Sequence, residues 1–297
     1  MIIYTIIVTF NGQHWIDFCL GSLRKSTVST TPIIIDNYSQ DNTISYIRQN
    51  YPEAIIFEQK KNLGFGQANN LGIQYAIEHN ADYVLLLNQD AAIEYNMLEL
   101  CLAQCNKQSL LSPIHMNGDG TRLDNNFRKN SLLQCEELIN DIFSNKLKSY
   151  YVCNHICAAC WLIPIAVIKK IGGFSPLFIH YAEDDNYLHR LSYHNLQLRL
   201  VPQAHMFHDR LDFGNTQIHN NRWLANTLML TATNINLTST QRLKQFIHTI
   251  WVCYRYKLLS HQYRIGDFFL CLIKLIFKLQ QIQHSRIIEK KSNLTYL

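Results

Sequence analysis

Carboxylates stand at three places where chemistry would need them. Asp90 follows Tyr83-Val84-Leu85-Leu86-Leu87, an apolar run of the kind that forms a strand buried on both faces, so Asn88-Gln89-Asp90 is delivered to the rim of a core. An isolated charge there is costly without a partner. A divalent cation, Mn2+ or Mg2+, supplies that partner and bridges phosphate oxygens at the same point. Asp36 ends the run Ile33-Ile34-Ile35, where a lone carboxylate can accept an imide N–H from a base; capping of a helix through Asn37 to Thr43 is the alternative. The third place is Glu183-Asp184-Asp185. Tyr187, Leu188 and Leu191 recur after it at helical spacing, which puts the acids in a first turn where the helix dipole favours the ionised form and leaves a base ready to take a proton. Acids in a first turn are also what helix formation alone selects.

Other residue types add weaker signals. Asn62, Gly64 and Gly66 precede a helix expected from Gln67, an arrangement that can bring backbone N–H groups to a phosphate and that also reads as a plain turn. His208 lies in Pro202-Gln203-Ala204-His205-Met206-Phe207-His208-Asp209, with His205 as its competitor for any ligand role. Cys153, Cys157 and Cys160 beside His155 lack the paired spacing of a structural zinc site and read as buried thiols. The nine cysteines are odd in number and scattered over the chain, which fits a reducing compartment.

The elements that must position these residues alternate. Ile2 to Thr9, Ile33 to Ile35, Ile55 to Phe57 and Tyr83 to Leu87 read as buried strands, separated by amphipathic stretches to Lys25, around Ile44 and Ile47, and from Gln67 to His79. Strand, helix, strand repeated in this way predicts an α/β fold with a doubly wound, mostly parallel sheet. Ligands of such sheets bind at the carboxyl ends of the strands, where Thr9, Asn11, Asp36, Asn62 and Asp90 fall. Residues 106 to 150 read as a polar, loop-rich insertion with a weak helix signal from Glu136 to Phe143, and Ile171-Gly172-Gly173-Phe174 marks a turn.

Val8-Thr9-Phe10-Asn11-Gly12, Ile35-Asp36-Asn37-Tyr38-Ser39-Gln40-Asp41, Asn62 to Gly72, Leu87-Asn88-Gln89-Asp90, and Ile171-Gly172-Gly173-Phe174 leading to Glu183-Asp184 and Arg190 occur in one order. Over about residues 2 to 215 this pattern resembles family 2 glycosyltransferases of the GT-A fold, closest to their rhamnosyltransferase-like branch. The resemblance implies a donor half over about 1–105, an acceptor half over about 150–215, and inverting transfer of a sugar from a UDP- or dTDP-linked donor to a glycan or lipid-linked saccharide in surface polysaccharide synthesis. It implies that Thr9, Asn11, Asp36, Asn62, Gly64, Asn70, Asn88 and Gln89 meet the donor and that Asp90 and His208 hold the metal. Asp184 is then the general base, in a register open by one among three adjacent acids, with Trp161, Glu183 and Arg190 on the acceptor and Arg190 pairing an acid. The family shows two aspartates flanking one residue where this chain has Asn88 and Asp90. That change, together with Asn186 where the family often has another acid, motivates a rival reading: an inactive nucleotide-sugar or glycan-binding protein. A nucleotidyltransferase is disfavoured, because Thr9 to Phe18 has no glycine-rich loop ending in a basic residue.

Composition fits one globular core, with 297 residues, 47% hydrophobic and 16% charged. The start has no basic region before Arg24 and reads as a buried strand rather than a leader. The apolar run Phe268 to Ile273 falls short of the roughly 20 residues a spanning helix needs, so a cytoplasmic protein with no spanning segment is expected. Residues 240–297 carry ten Lys or Arg against two acids, a net of +8. Leu243, Phe246, Ile247, Ile250, Trp251, Tyr254 and Leu258 form one helical stripe there, and 266 to 279 a second edged by Lys274 and Lys278. Residues 216–297 are thus expected to be a basic helical extension that suits an anionic membrane surface on the inner face; packing on the catalytic domain or a second subunit is the alternative. No nucleic-acid partner is expected.

Overall fold

The protein is described by a computed structural model for residues 1–179, 181–210, 216–252, 255, 273 and 275–297; at 136 and 216–223 only the backbone is described. The first half follows the predicted alternation. Strands β1 (Ile3–Thr9), β2 (Thr31–Asp36), β3 (Ile55–Glu58) and β4 (Tyr83–Leu87) are parallel, in the order β3-β2-β1-β4, and helices α1 (Ile16–Arg24), α2 (Thr43–Asn50) and α3 (Phe65–Glu78) connect them. Successive residues of β4 enter opposite cores: Val84 and Leu86 pack with Ile6, Ile33 and Trp161, while Leu85 and Leu87 pack with Ile7, Ile34 and Leu162. Both faces of the strand are buried, so its sequence is continuously apolar rather than alternating.

The second half brings antiparallel strands. After β5 (Ala91–Ile93) and α4 (Met97–Ala103) come β6 (Ser109–Asn117), α5 (Glu136–Phe143), β7 (Tyr151–Cys153), β8 (Cys160–Pro164), α6 (Ile165–Ile171), α7 (Glu183–Tyr193) and β9 (Gln197–His208). The sheet continues from β4 through β8, β6 and β9 to β5, with β7 also on β9. The result is a mixed, mostly parallel α/β sheet. One expectation fails here. Residues 109–117, taken as part of a polar loop, form a strand inside the sheet, buried over its first seven residues. Its polar residues misled because they are satisfied internally: Ser112 Oγ meets His115 Nε2 at 3.1 Å and donates to Cys160 O at 3.2 Å. Pro113 stands where the register with β9 shifts.

The cysteines also depart from expectation. Cys153, read as a buried thiol, is disulfide-bonded to Cys135, because β7 and the residue before α5 bring their Cα atoms to 5.4 Å. Cys157 and Cys160 are free.

Helices α8 (Thr216–Thr233), α9 (Ser239–Val252) and α10 (Leu279–Glu289) follow. Beyond the boundary expected at 215/216, the last residues pack back on the first part of the chain. Thr295 O accepts from Gly173 N at 2.8 Å, Tyr296 O from Asn70 Nδ2 at 3.2 Å, and Glu289 O pairs with His194 Nε2 at 2.8 Å. Gly172 has φ +76°, and a Cβ there would lie 2.0 Å from Thr295 O, so glycine is required on both counts. The expected stripe on α9 divides: Phe246 and Ile250 turn inward to the cluster of Phe178, Leu224 and Leu228, while Leu243, Ile247 and Trp251 are exposed. Tyr254, Leu258 and most of the 266–279 stripe, with Lys274, lie outside the described residues. No helix among the described residues is long and apolar enough to cross a membrane.

Candidate active site

The parallel register carries the ends of β1, β2 and β4 to one rim, and the side chains there first bind one another. Asp36 is buried; its Oδ1 accepts from Thr9 Oγ1 at 3.1 Å and its Oδ2 from Ser39 N at 3.0 Å. It does not cap α2. Asp41, just before α2, accepts from the Thr43 N–H at 3.0 Å. Thr9, expected at the donor, is fully enclosed, and its hydroxyl donates to the Asp36 carboxylate. Asn11, at φ +47°, accepts from Gln40 N at 2.8 Å and its own N–H donates to Ser39 Oγ. Gln89 ties the end of β4 to that of β1, accepting from Phe10 N at 2.9 Å and donating to Phe10 O. These amides fix the shape of the rim.

The 62–66 turn is similarly internal. Asn62 Oδ1 accepts from Gly64 N at 2.8 Å, and Gly64, at φ +79°, precedes α3. A Cβ on Gly64 would sit 2.1 Å from Ile179 O. Asn70, expected to face the donor, turns the other way: it brackets Phe174 through Oδ1 to N at 2.7 Å and Nδ2 to O at 2.9 Å. Its amide is consumed in holding the Gly-Gly-Phe turn.

At the end of β4, Asp90 Oδ1 lies 3.2 Å from His208 Nε2, because β5 pairs antiparallel with β9 and sets Ala91 against His208. His208 is enclosed and its Nδ1 has no hydrogen-bond partner. His205, the competitor, instead meets Glu94 at 2.9 Å through Nδ1. Behind His208 lies Asp124, which sequence reasoning did not single out: its Oδ1 accepts from Phe127 N at 2.9 Å and its Oδ2 from Arg210 Nε at 2.9 Å, with His208 Nδ1 at 3.9 Å. Burial would raise the Asp124 pKa, but the Phe127 N–H and the charges of Arg210 and His208 hold it below the usual carboxylate range. The available signal was an Asp three residues before an apolar turn, too common to stand out.

Among the described residues no three His, Cys, Asp or Glu side chains converge as a self-sufficient metal site. A cation shared with a ligand asks less of the protein. Octahedral ions with bonds of about 2.1 Å space adjacent donors by about 3 Å, and Asp90 and His208 offer an oxygen and a nitrogen 3.2 Å apart. The enclosed His208, whose Nε2 faces only Asp90, and that lone carboxylate would suit Mn2+ or Mg2+.

Asn88, Asn126, Cys157, Ala158, Ala159, Glu183, Asp184 and Arg210 line a cavity of about 350 Å3, closed on one side by Phe65 and Tyr181. Asp184 enters it, accepting from Asp185 N at 2.9 Å. Burial first, and the neighbouring Asp185 second, raise its pKa, so the helix dipole does not win outright as expected. Glu183 is enclosed with Oε2 unpartnered, and burial with Asp184 beside it pushes its pKa up to about 8. Asp185 points away, into a separate cavity, where it meets His155 Nε2 at 3.3 Å. Burial opposes the charged form of His155, yet Asp185 lifts its pKa above the ordinary value.

Two residues expected at the acceptor lie inside the core. Trp161 and Arg190 are both fully enclosed. Trp161 stacks with Phe174 at 6.4 Å in the core, while Arg190 donates to Ile171 O and Gly173 O at 2.6 Å and to Asn186 Oδ1 at 3.2 Å. Backbone carbonyls and an amide, not an acid, satisfy the guanidinium. Asn186 in turn donates to Glu289 of α10 at 3.4 Å.

Comparison with known proteins follows the same lines. The sequence profile described as Glycosyl transferase family 2 matches residues 4–172. The low-salt glycan biosynthesis hexosyltransferase Agl10 of Haloferax volcanii is similar, 24% identical over 171 residues, which cover 56% of this chain and 54% of that protein. The chain thus spans about half the length of that curated relative, and the rhamnosyltransferase-like branch is not singled out. S. aureus TarS 1-349 in complex with UDP superposes with a TM-score of 0.60 at 15% identity, covering 98% of this chain and 88% of that one. The mannosyltransferase PcManGT of Pyrobaculum calidifontis, in complex with GDP-Man and Mn2+, gives 0.58 at 11%, covering 97% and 86%. GalNAc-T7 with UDP, GalNAc and Mn2+ gives 0.64 at 13%, covering 100% and 55%. At these identities the likeness is one of fold.

Proposed function

Since the chain belongs to glycosyl transferase family 2, we propose that it moves a sugar from a nucleotide-sugar donor to an acceptor hydroxyl with inversion at the anomeric carbon. The observation that carries this reading is that Asp184, a carboxylate with a raised pKa, shares one cavity with Asn88 at the strand end that leads to Asp90. Asp184 takes the proton of the acceptor hydroxyl as its oxygen bonds to the anomeric carbon, and the bond from that carbon to the diphosphate oxygen breaks on the opposite side. Asp90 and His208 would hold a Mn2+ or Mg2+ ion, which would supply Lewis-acid charge for the departing diphosphate. Asp36, with one bond already accepted at each oxygen, keeps lone pairs for the imide N–H of a uracil or thymine base. Glu183, uncharged at neutral pH, donates a hydrogen bond toward the acceptor. Screening the purified chain against UDP-, dTDP- and GDP-sugars, with Mn2+ and with chelator, tests the class; no metal-dependent binding to any of them overturns it.

The acceptor in this reading is a glycan or lipid-linked saccharide met at the inner face of the membrane. Exposed Leu243, Ile247 and Trp251 on one face of α9, with Lys244 exposed beside them, support an anionic surface as the meeting place. The chain should float with vesicles of phosphatidylglycerol and phosphatidylcholine, and a Leu243→Ser, Ile247→Ser, Trp251→Ser variant should not; equal recovery of both refutes membrane docking.

A further inference from the structure

The cavity beside Asp184 carries a cation that none of the steps above uses. Arg210 follows His208 by two residues, at the end of β9, and lines the cavity with Asn88, Asn126 and Asp184. Its Nε donates to Asp124 Oδ2 at 2.9 Å, and Asp124 is only 3% exposed at its side chain. Asp124 cannot easily move, since its Oδ1 accepts from Phe127 N and its own N–H donates to His115 O at 2.9 Å. The guanidinium is therefore pinned along one edge. Its two terminal nitrogens make no hydrogen bond to the described residues, and the side chain is 36% exposed. A guanidinium has five N–H donors in one plane, so four remain unused, and the edge formed by the two terminal nitrogens faces away from the Asp124 tether. Such a fork matches two oxygens of a phosphate group.

Charge points to the same ligand. Asp90, Asp124 and Asp184 gather carboxylates around this rim, Asp90 beside His208 and Asp124 beside Arg210. A diphosphate entering would meet like charge unless a cation faced it. Asn88 removes one carboxylate from the place where the family pattern has two, which weakens the grip on a divalent ion and leaves more of the anion's charge to be met by the protein.

We propose that Arg210, positioned by Asp124, is a fixed cationic arm that binds the diphosphate of the nucleotide sugar and takes up the charge of the departing nucleoside diphosphate. The proposal rests on the nucleotide-sugar reading above and assigns the phosphate contact to a residue of this chain. As the anomeric carbon–oxygen bond breaks, the electron pair passes to the diphosphate oxygen. Arg210 stabilises that charge without a proton transfer, since a guanidinium stays protonated.

Titration calorimetry of the full chain with UDP, UMP and uridine, and with GDP and guanosine, in Mn2+ and in chelator, separates phosphate binding from base binding. Arg210→Ala and Arg210→Gln should lose about ten- to a hundredfold in nucleoside diphosphate affinity, the range of charge-assisted hydrogen bonds, in both conditions. Nucleoside affinity should stay unchanged, which also shows that the variants fold. Arg210→Lys should recover part of the loss. Asp124→Asn should weaken diphosphate binding less than Arg210→Ala, as expected of a residue that acts through another. Diphosphate affinity within about twofold of wild type in both Arg210→Ala and Arg210→Gln overturns the proposal while the family-based reading stands. A wild-type chain that binds neither UDP nor GDP overturns both.

Discussion

Glu183 gives the most direct test of how the acidic run at the start of α7 is wired. Its side chain is 6% exposed, and burial beside Asp184 raises its pKa from 4.5 to about 8. The unfolded glutamate is ionised above pH 4.5, whereas the folded one stays neutral until about pH 8. Folding therefore takes up a proton between those values. The stability tied to this proton is fully present below the unfolded pKa and is lost as pH rises through the folded one. At about 1.4 kcal/mol per unit, the loss across the window is about 5 kcal/mol. With an unfolding entropy of about 2 cal/mol/K per residue over 297 residues, that corresponds to about 8 °C. Glu183→Gln keeps a neutral side chain of the same shape at every pH. Its melting temperature relative to wild type should climb by up to about 8 °C from about pH 5 to about pH 8 and level off above, read by calorimetry or dye fluorescence. A difference that stays flat over that range refutes a neutral Glu183. The variant should also keep most of its turnover, since an amide replaces an uncharged acid.

Three further outcomes follow from the same geometry. Asp184→Asn should lower kcat by about 10²–10⁴-fold, the usual worth of general-base catalysis, with donor affinity near wild type, while Asp185→Asn, which faces His155 in the other cavity, should not; loss in Asp185→Asn alone would move the base by one residue. Asp90→Ala should abolish metal-dependent donor binding, and an unchanged difference between Mn2+ and chelator would remove Asp90 from the metal. Gly172→Ala should cost at least the roughly 1–2 kcal/mol of a left-handed alanine, and more from the clash with Thr295 O; a melting temperature equal to wild type would show that the C-terminal segment does not seat on that turn.

The parallel half of the fold was legible because each of β1, β2 and β4 is a short apolar run followed by polar residues, a pattern that burial on both faces imposes. The strand at 109–117 was not, because Ser112 and His115 are paired inside the sheet and sequence does not display such pairing. At the site, strand-end position pointed to Asp36 and Asp90, and the resemblance added His208, which the structure places 3.2 Å from Asp90. The amides Asn11, Asn62, Asn70 and Gln89 were expected at the donor because they stand beside the rim. Their bonds run to backbone groups that only the folded loops bring within reach. Local periodicity could not foresee the burial of Trp161, on a strand between β4 and β6, or of Arg190, whose helix turns it to the carbonyls of Ile171 and Gly173. Asp124 and Arg210 were missed because their pairing spans 86 residues.

The bond from Asn70 to Tyr296 spans 226 positions. Strands β1, β2 and β3 find all their pairing partners within the first ninety residues, while β4 pairs with β1 there and later with β8. The turn at Gly172-Gly173 has no such independence. Its N–H partner at Thr295, and the carbonyl of Tyr296 that faces Asn70, are made well over a hundred residues later. A chain that ends before residue 295 would therefore keep its parallel strands paired but leave the turn that precedes Glu183 and Asp184 without its Thr295 and Tyr296 partners.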